Sequence, residues 1–149
     1  MSKKYDIVML SGGFDPPHIG HARMIKEAAA IADEVIVGVN SDEWLEDKKG
    51  YIFMPWEERA ELVSYFKGVT ETVAFNDDDG SACDLIEKVR KQFPDKSVAF
   101  GNGGDRVTDN VPEVFVATQS NVELVWNLGG GKIQSSSDLV KNVNQPSSG

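Results

Sequence analysis

The sequence predicts an α/β fold: a doubly wound, parallel five-stranded sheet with helices on both faces. Three observations predict it. Short apolar runs alternate with segments of helical spacing along the whole chain. The first apolar run breaks at a glycine turn and passes into a helical pattern, the start of a βαβ unit. The 149 residues, 40% hydrophobic and 26% charged, have the size and composition of one ordinary globular domain.

Residues 5–10 (Tyr-Asp-Ile-Val-Met-Leu) form a nearly unbroken apolar run, as expected of a strand covered on both sides. Ser11-Gly12-Gly13 ends it, and Pro16-Pro17 prevents an immediate helix. From Gly20, Met24, Ile25, Ala28, Ala29 and Ala32 share one helical face that ends near Asp33. Residues 34–40 are the second strand, and 40–54 read as a loop. Pro55 suits a first helical position, and Trp56, Ala60, Val63 and Phe66 or Lys67 follow at helical steps. The third strand is 70–75, followed by a helix over 81–93 carrying Leu85, Ile86, Val89 and Phe93. Residues 97–101 are the fourth strand, 113–119 a short helix, 122–128 the fifth strand and 135–142 a last helix. With no repeat, linker or shift in composition, residues 1–144 read as one domain and 145–149 as a disordered tail.

Charge narrows the function classes. Fifteen Lys and Arg against 24 Asp and Glu give a net charge of −9. That field repels a nucleic-acid backbone, and any small anionic substrate must meet a local cluster of donors. No stretch approaches the roughly 20 apolar residues of a membrane span, and no leader precedes the first strand, so a soluble, cytoplasmic protein is expected. The lone Cys83 excludes an internal disulfide and any multi-cysteine metal site.

In parallel sheets of this kind ligands bind beyond the carboxyl ends of the strands. The loops to inspect are therefore 11–21, 40–54, 76–80, 101–112 and 129–137. The first is the richest. Gly12 and Gly13 let the backbone approach a ligand closely, and both histidines of the chain, His18 and His21, stand three apart at a helix N-terminus, a place that favours phosphate. A zinc site would need carboxylates to complete it, because no third His or second Cys is present. Two other patterns fail on spacing: Gly129-Gly130-Gly131-Lys132 lacks the Ser or Thr of a P-loop, and Asp77-Asp78-Asp79-Gly80 lacks the first and last ligands of an EF-hand and reads as a solvated tip.

Gly12-Gly13-Phe14-Asp15-Pro16-Pro17-His18-Ile19-Gly20-His21 resembles the signature of the cytidylyltransferase-like nucleotidyltransferases, Gly-x-Phe-Asp-x-x-His-x-Gly-His. The resemblance runs from Tyr5 to about Lys141 and implies a Rossmann-like domain that moves a nucleoside monophosphate from a triphosphate to a phosphorylated acceptor. By that likeness His18 and His21 bind the triphosphate and stabilise the transition state. Ser11, Gly12, Gly13, Phe14, Asp15 and Gly20 line the nucleotide site, and Lys48 or Lys49 reaches the phosphates. The segment Asn40-Ser41-Asp42-Glu43-Trp44 with Glu57-Glu58-Arg59 is similar to glycerol-3-phosphate cytidylyltransferases and heptose-phosphate adenylyltransferases, which puts Asp42, Trp44 and Arg59 on the acceptor side. Gly101-Asn102-Gly103-Gly104-Asp105 looks like the sugar-phosphate branch, adding Gly101, Gly103 and Asp105 to the nucleotide site and Arg106 to the acceptor site.

Ser135-Ser136-Ser137 resembles the family's hydroxyl run that holds the outer phosphates, but Gly130-Gly131-Lys132-Ile133-Gln134 replaces the Arg-containing segment that precedes it in the cytidylyltransferases. The missing Arg weakens CTP and favours ATP. The expected reaction is adenylyl transfer to a sugar or polyol phosphate. Glycerol-3-phosphate with CTP is the alternative, and a nucleotide sensor without chemistry is the reading of another class. The resemblance further implies Mg²⁺ and a homodimer.

Overall fold

β1 (Tyr5–Gly12) is apolar on both of its faces because it lies in the middle of the sheet, and Ile7, Val8, Met9 and Leu10 are fully buried. The structure, a computed structural model, describes residues 3–103, 111–129 and 134–135. Around β1 run β2 (Ala32–Val39), β3 (Glu71–Val73), β4 (Val98–Gly101), β5 (Glu123–Trp126) and a two-residue β6 (Gln134–Ser135), in the order β3-β2-β1-β4-β5-β6. The first five strands are parallel, as the sequence predicts. β6 turns back antiparallel on β5, pairing Gln134 with Trp126 and Ser135 with Val125. Ser135 therefore stands in a strand and not at the start of the expected last helix; 136–142 and the expected tail lie outside the described residues.

Alternate side chains of β1, β2, β4 and β5 feed two cores. Val8, Leu10, Val35, Val37 and Val39 pack beneath α1 (Ile19–Ile31) and α3 (Trp56–Ser64). Ile7, Met9, Ile36 and Phe100 pack beneath α4 (Cys83–Gln92) and α5 (Val111–Gln119). The strand order reverses between β1 and β4, so the carboxyl ends of these two strands open the crevice where ligands bind in such sheets.

One element departs from the expected loop over 40–54: α2 (Asp42–Lys49) is a helix. Apolar spacing could not reveal it, since Leu45 is its one buried residue. Its ends are what form it. Ser41 Oγ accepts the Trp44 N–H at 3.1 Å, acids fill the first turn and lysines the last, and Gly50 closes it in the left-handed region at φ 82°. Among the described residues no helix is long and apolar enough to cross a membrane.

Candidate active site

The site grows from the loop between β1 and α1. Phe14 takes a left-handed backbone (φ 54°), and its ring is buried, edge-on to His21 with centroids 4.6 Å apart. His18 is the N-cap of α1 and His21 its third residue, and the two cap each other's backbone. The Gly20 N–H donates to His18 Nδ1 and the His18 N–H donates to His21 Nδ1, both at 3.1 Å. The rings stack with centroids 3.9 Å apart. Gly20 permits this: a Cβ there would lie 2.9 Å from His18 Cε1.

The tautomers follow from those caps. An imidazole that accepts at Nδ1 carries its hydrogen at Nε2. Both rings therefore present an Nε2–H donor at the N-terminus of a 13-residue helix, where the dipole favours negative charge. Burial, and secondarily the neighbouring His18, push His21 down to a pKa of about 4, so near neutral pH its ring is an uncharged donor.

Asp15 does not open toward a ligand here. Its carboxylate, 1% exposed, accepts from the Phe53 and Met54 N–H groups at 2.8 and 2.7 Å and from Lys49 Nζ at 2.9 Å. Burial works to raise its pKa, but the donors from Phe53, Lys49 and Met54 together hold it below the ordinary carboxylate value. Lys49 also donates to the Asp15 carbonyl at 3.0 Å and lies 4.7 Å from the Tyr51 ring centre. Of the two candidate lysines, Lys49 thus joins the loop after β1 to residues 49–54. Lys48 makes no ion pair among the described residues and sits 5.4 Å over the Trp44 ring. Trp44, Lys48, Asp77, Asp78 and Gly80 line a cavity of about 190 Å³.

Arg59 and Asp42, expected on the acceptor side, face each other: Arg59 is fully buried and its Nη2 meets Asp42 Oδ1 at 2.6 Å. Nε and both Nη1 N–H groups go to main-chain carbonyls, so the guanidinium faces the backbone inside the fold. Gly101 is likewise enclosed. A Cβ there would lie 2.7 Å from Leu10 Cδ2, so its smallness serves packing beneath the crevice. Ser11, Gly12 and Gly13 lead into the histidine turn from β1, and Gly103 stands across the crevice beside Met24 of α1. Asp105, Arg106, Ser136 and Ser137 lie outside the described residues, and of Ser135 only the backbone is described.

Sequence reasoning missed Asp77. It is 5% exposed, not part of a solvated tip, and accepts from Asn40 Nδ2, Ser41 N and Ser41 Oγ at 2.7–2.9 Å. The hint was its neighbours: acids in a row differ in exposure when one of them faces unpaired donors on an adjacent loop. For Mg²⁺, among the described residues no three His, Cys, Asp or Glu side chains gather to hold an ion, and the Asp15 carboxylate is already filled by three donors. These residues do not fit a protein-held Mg²⁺.

Comparison with known proteins gives the family and the fold. The family model described as cytidylyltransferase-like matches residues 9–143. The chain is 35% identical over 127 residues to an FAD synthase of Thermococcus sibiricus, covering 84% of this chain and 82% of the relative. It is 28% identical over 141 residues to the bifunctional protein HldE of Geobacter sulfurreducens, covering 92% of this chain and 26% of that protein. The chain thus spans about a quarter of the length of such HldE relatives. Among solved structures, a lipopolysaccharide core biosynthesis protein from Thermoplasma volcanium superposes with a TM-score of 0.63 at 24% identity, over 82% of this chain and 95% of that one. This last likeness speaks for the fold.

Proposed function

The chain belongs to the cytidylyltransferase-like family, and from that premise we propose that it is a nucleotidyltransferase: a phosphorylated acceptor attacks the α-phosphorus of a nucleoside triphosphate, and pyrophosphate leaves. The observation that carries this reading is the pair of stacked imidazoles, each aiming an Nε2–H from the N-terminus of α1.

The chemistry asks little of a base. A phosphate monoester has a second pKa near ~6 and is already a nucleophile at neutral pH. The protein must align acceptor and α-phosphorus and stabilise charge on the transferring phosphoryl and on the departing pyrophosphate. His18 and His21 do so as fixed Nε2–H donors. With Nδ1 occupied by a backbone N–H, neither ring is free to take a proton at that atom. Lys48, without the acid partner that occupies Lys49, is the lysine that reaches the phosphates. The Mg²⁺ that the resemblance implies would arrive bound to the triphosphate, and no step here depends on it.

ATP is favoured over CTP because Gly130-Gly131-Lys132-Ile133-Gln134 stands where the cytidylyltransferases carry their Arg-containing segment. The acceptor reading remains a sugar or polyol phosphate, supported by the likeness to HldE. A second reading has its own observation: Tyr51 and Phe53, 59% and 67% exposed, flank the Asp15–Lys49 pair, and an FAD synthase is a relative matched over most of its length. FAD joins a flavin phosphate to AMP, and a planar ring would cover such aromatics. The protein is taken to act as a cytoplasmic homodimer apart from nucleic acid and membranes, on its charge of −9 and the family likeness.

The test is pyrophosphate release with ATP and with CTP against sugar 1-phosphates, glycerol 3-phosphate and flavin mononucleotide. Release with one acceptor identifies the substrate. Nucleotide binding without release for any acceptor would make the protein a sensor.

A further inference from the structure

Arg59 is a fully buried cation, and burying a guanidinium is costly unless its N–H groups find oxygens. Four bonds are made. Nε donates to the Met54 carbonyl at 2.9 Å, Nη1 to the Gly13 and Asn40 carbonyls at 2.7 and 2.8 Å, and Nη2 to Asp42. The three carbonyls come from three separate segments: the loop after β1, the end of β2 and the approach to α3. A planar fork of set geometry therefore holds three peptide planes at once, which a lysine's single ammonium could not reproduce.

The Gly13 carbonyl matters most. In a trans peptide the C=O and the following N–H point in opposite directions. A Gly13 carbonyl drawn in to Arg59 turns the Phe14 N–H outward. Among the described residues no acceptor takes the N–H of Gly13 or of Phe14. Two successive unpaired amides, the second on a residue with φ 54°, make a concave donor pair of the kind that holds an anion.

We infer that Arg59 is a positioning residue: by drawing the Gly13 carbonyl inward it aims the Gly13 and Phe14 amides at the phosphates of the nucleotide, and it touches neither nucleotide nor acceptor. Asp42 balances its charge and holds the fork in register from α2. The inference rests on the nucleotidyl-transfer reading above and assigns Arg59 to the nucleotide side of the site, acting through the backbone.

The test uses the full chain with Arg59→Lys, which keeps the charge and loses the fork, and Asp42→Asn, which keeps all three carbonyl bonds. In ¹H–¹⁵N spectra of the ligand-free protein, Arg59→Lys moves the Phe14 amide resonance and leaves the core amides of Val8 and Val37 in place. Calorimetric titration with ATP and CTP shows weakened binding. Under turnover, kcat/KM for the nucleotide falls on the order of 10²-fold while KM for the acceptor stays unchanged. Asp42→Asn shows a smaller loss in the same direction, and it carries the test alone if Arg59→Lys does not fold.

An unmoved Phe14 amide with unchanged nucleotide affinity overturns the inference. So does a rise in acceptor KM alone, which would make Arg59 an acceptor contact after all. A wild-type protein that binds neither ATP nor CTP overturns the nucleotidyl-transfer reading together with this inference. A wild type that binds as well as Arg59→Lys does overturns the inference alone.

Discussion

Asp15, in the loop after β1, and Asp77, in the loop after β3, are both buried, and each fastens a neighbouring segment to its own loop. Asp15 grips residues 49–54 through one cation and two amides. Asp77 grips residues 40–41 through neutral dipoles alone. The β1 loop carries, in addition, two imidazoles whose donor edges stay available, and the β3 loop has no such group. The difference teaches a division of labour. In a chain of charge −9, a carboxylate open to the crevice would repel a triphosphate. Both acids are turned inward and saturated with donors, and the ligand is left to imidazoles and amides.

The comparison breaks first at His21. His21→Ala should lower kcat on the order of 10²–10³-fold. Its cost in stability should stay near ~1 kcal/mol, the loss of one capping bond. Steady-state rates beside a thermal melt measure both, and near-normal turnover would take the β1 loop out of the chemistry.

Asp15→Ala should act on the fold, destabilising by roughly 3 kcal/mol because it leaves the Phe53 and Met54 amides without an acceptor and Lys49 with only the Asp15 carbonyl. Its pH signature is distinct. The Asp15 pKa lies below the ordinary 3.8, so the native state binds fewer protons than the unfolded chain below that pH. The stabilisation is complete above pH 3.8 and is lost as pH falls further through the native value. Asp15→Asn should flatten that acid limb in chemical denaturation; an unchanged limb would mean that the carboxylate is not held by these donors.

Asp77→Asn should cost less, about 1–2 kcal/mol, since one amide oxygen still accepts from residues 40–41 while the new NH2 loses the bonding of the other oxygen. Turnover should fall far less than in His21→Ala. A loss as large as at Asp15 would erase the distinction between the two loops.

A separate readout is the titration of His21. Its ring protons in the free protein should shift with a midpoint of about 4, against an ordinary 6.5. The unfolded chain takes up that proton first, so stability falls as pH drops from 6.5 to about 4. His21→Gln removes this slope, and a midpoint near 6.5 would show the ring to be solvated rather than packed against Phe14 and His18.

The histidine turn was legible because its residue types are rare in this chain and its spacing places them on one helix end; the capping geometry that sets both tautomers was not. Arg59 follows two glutamates on an amphipathic helix, where a charge ordinarily points to water, and nothing local says that three carbonyls wait beneath it. Asp77 sits in a run of three acids of which it alone is buried, because Asn40 and Ser41 lie across from it only once β3 pairs with β2. α2 hides for the opposite reason: its stability lies in its caps and charges, and periodicity of one buried leucine carries no signal.

The order of strands and helices, the covered sheet and the phosphate-seeking turn after β1 follow from the amino-acid string, since they depend on side-chain spacing and on neighbours a few residues apart. Which charged groups face a ligand and which are spent on holding loops was decided by the tertiary structure. That choice depends on oxygens and N–H groups 17 to 46 residues away, brought within hydrogen-bond reach only when parallel strands align their carboxyl ends. Burial raises the cost of every unpaired charge, so the acids and Arg59 had to find partners inside the fold, and the donors left over define the site.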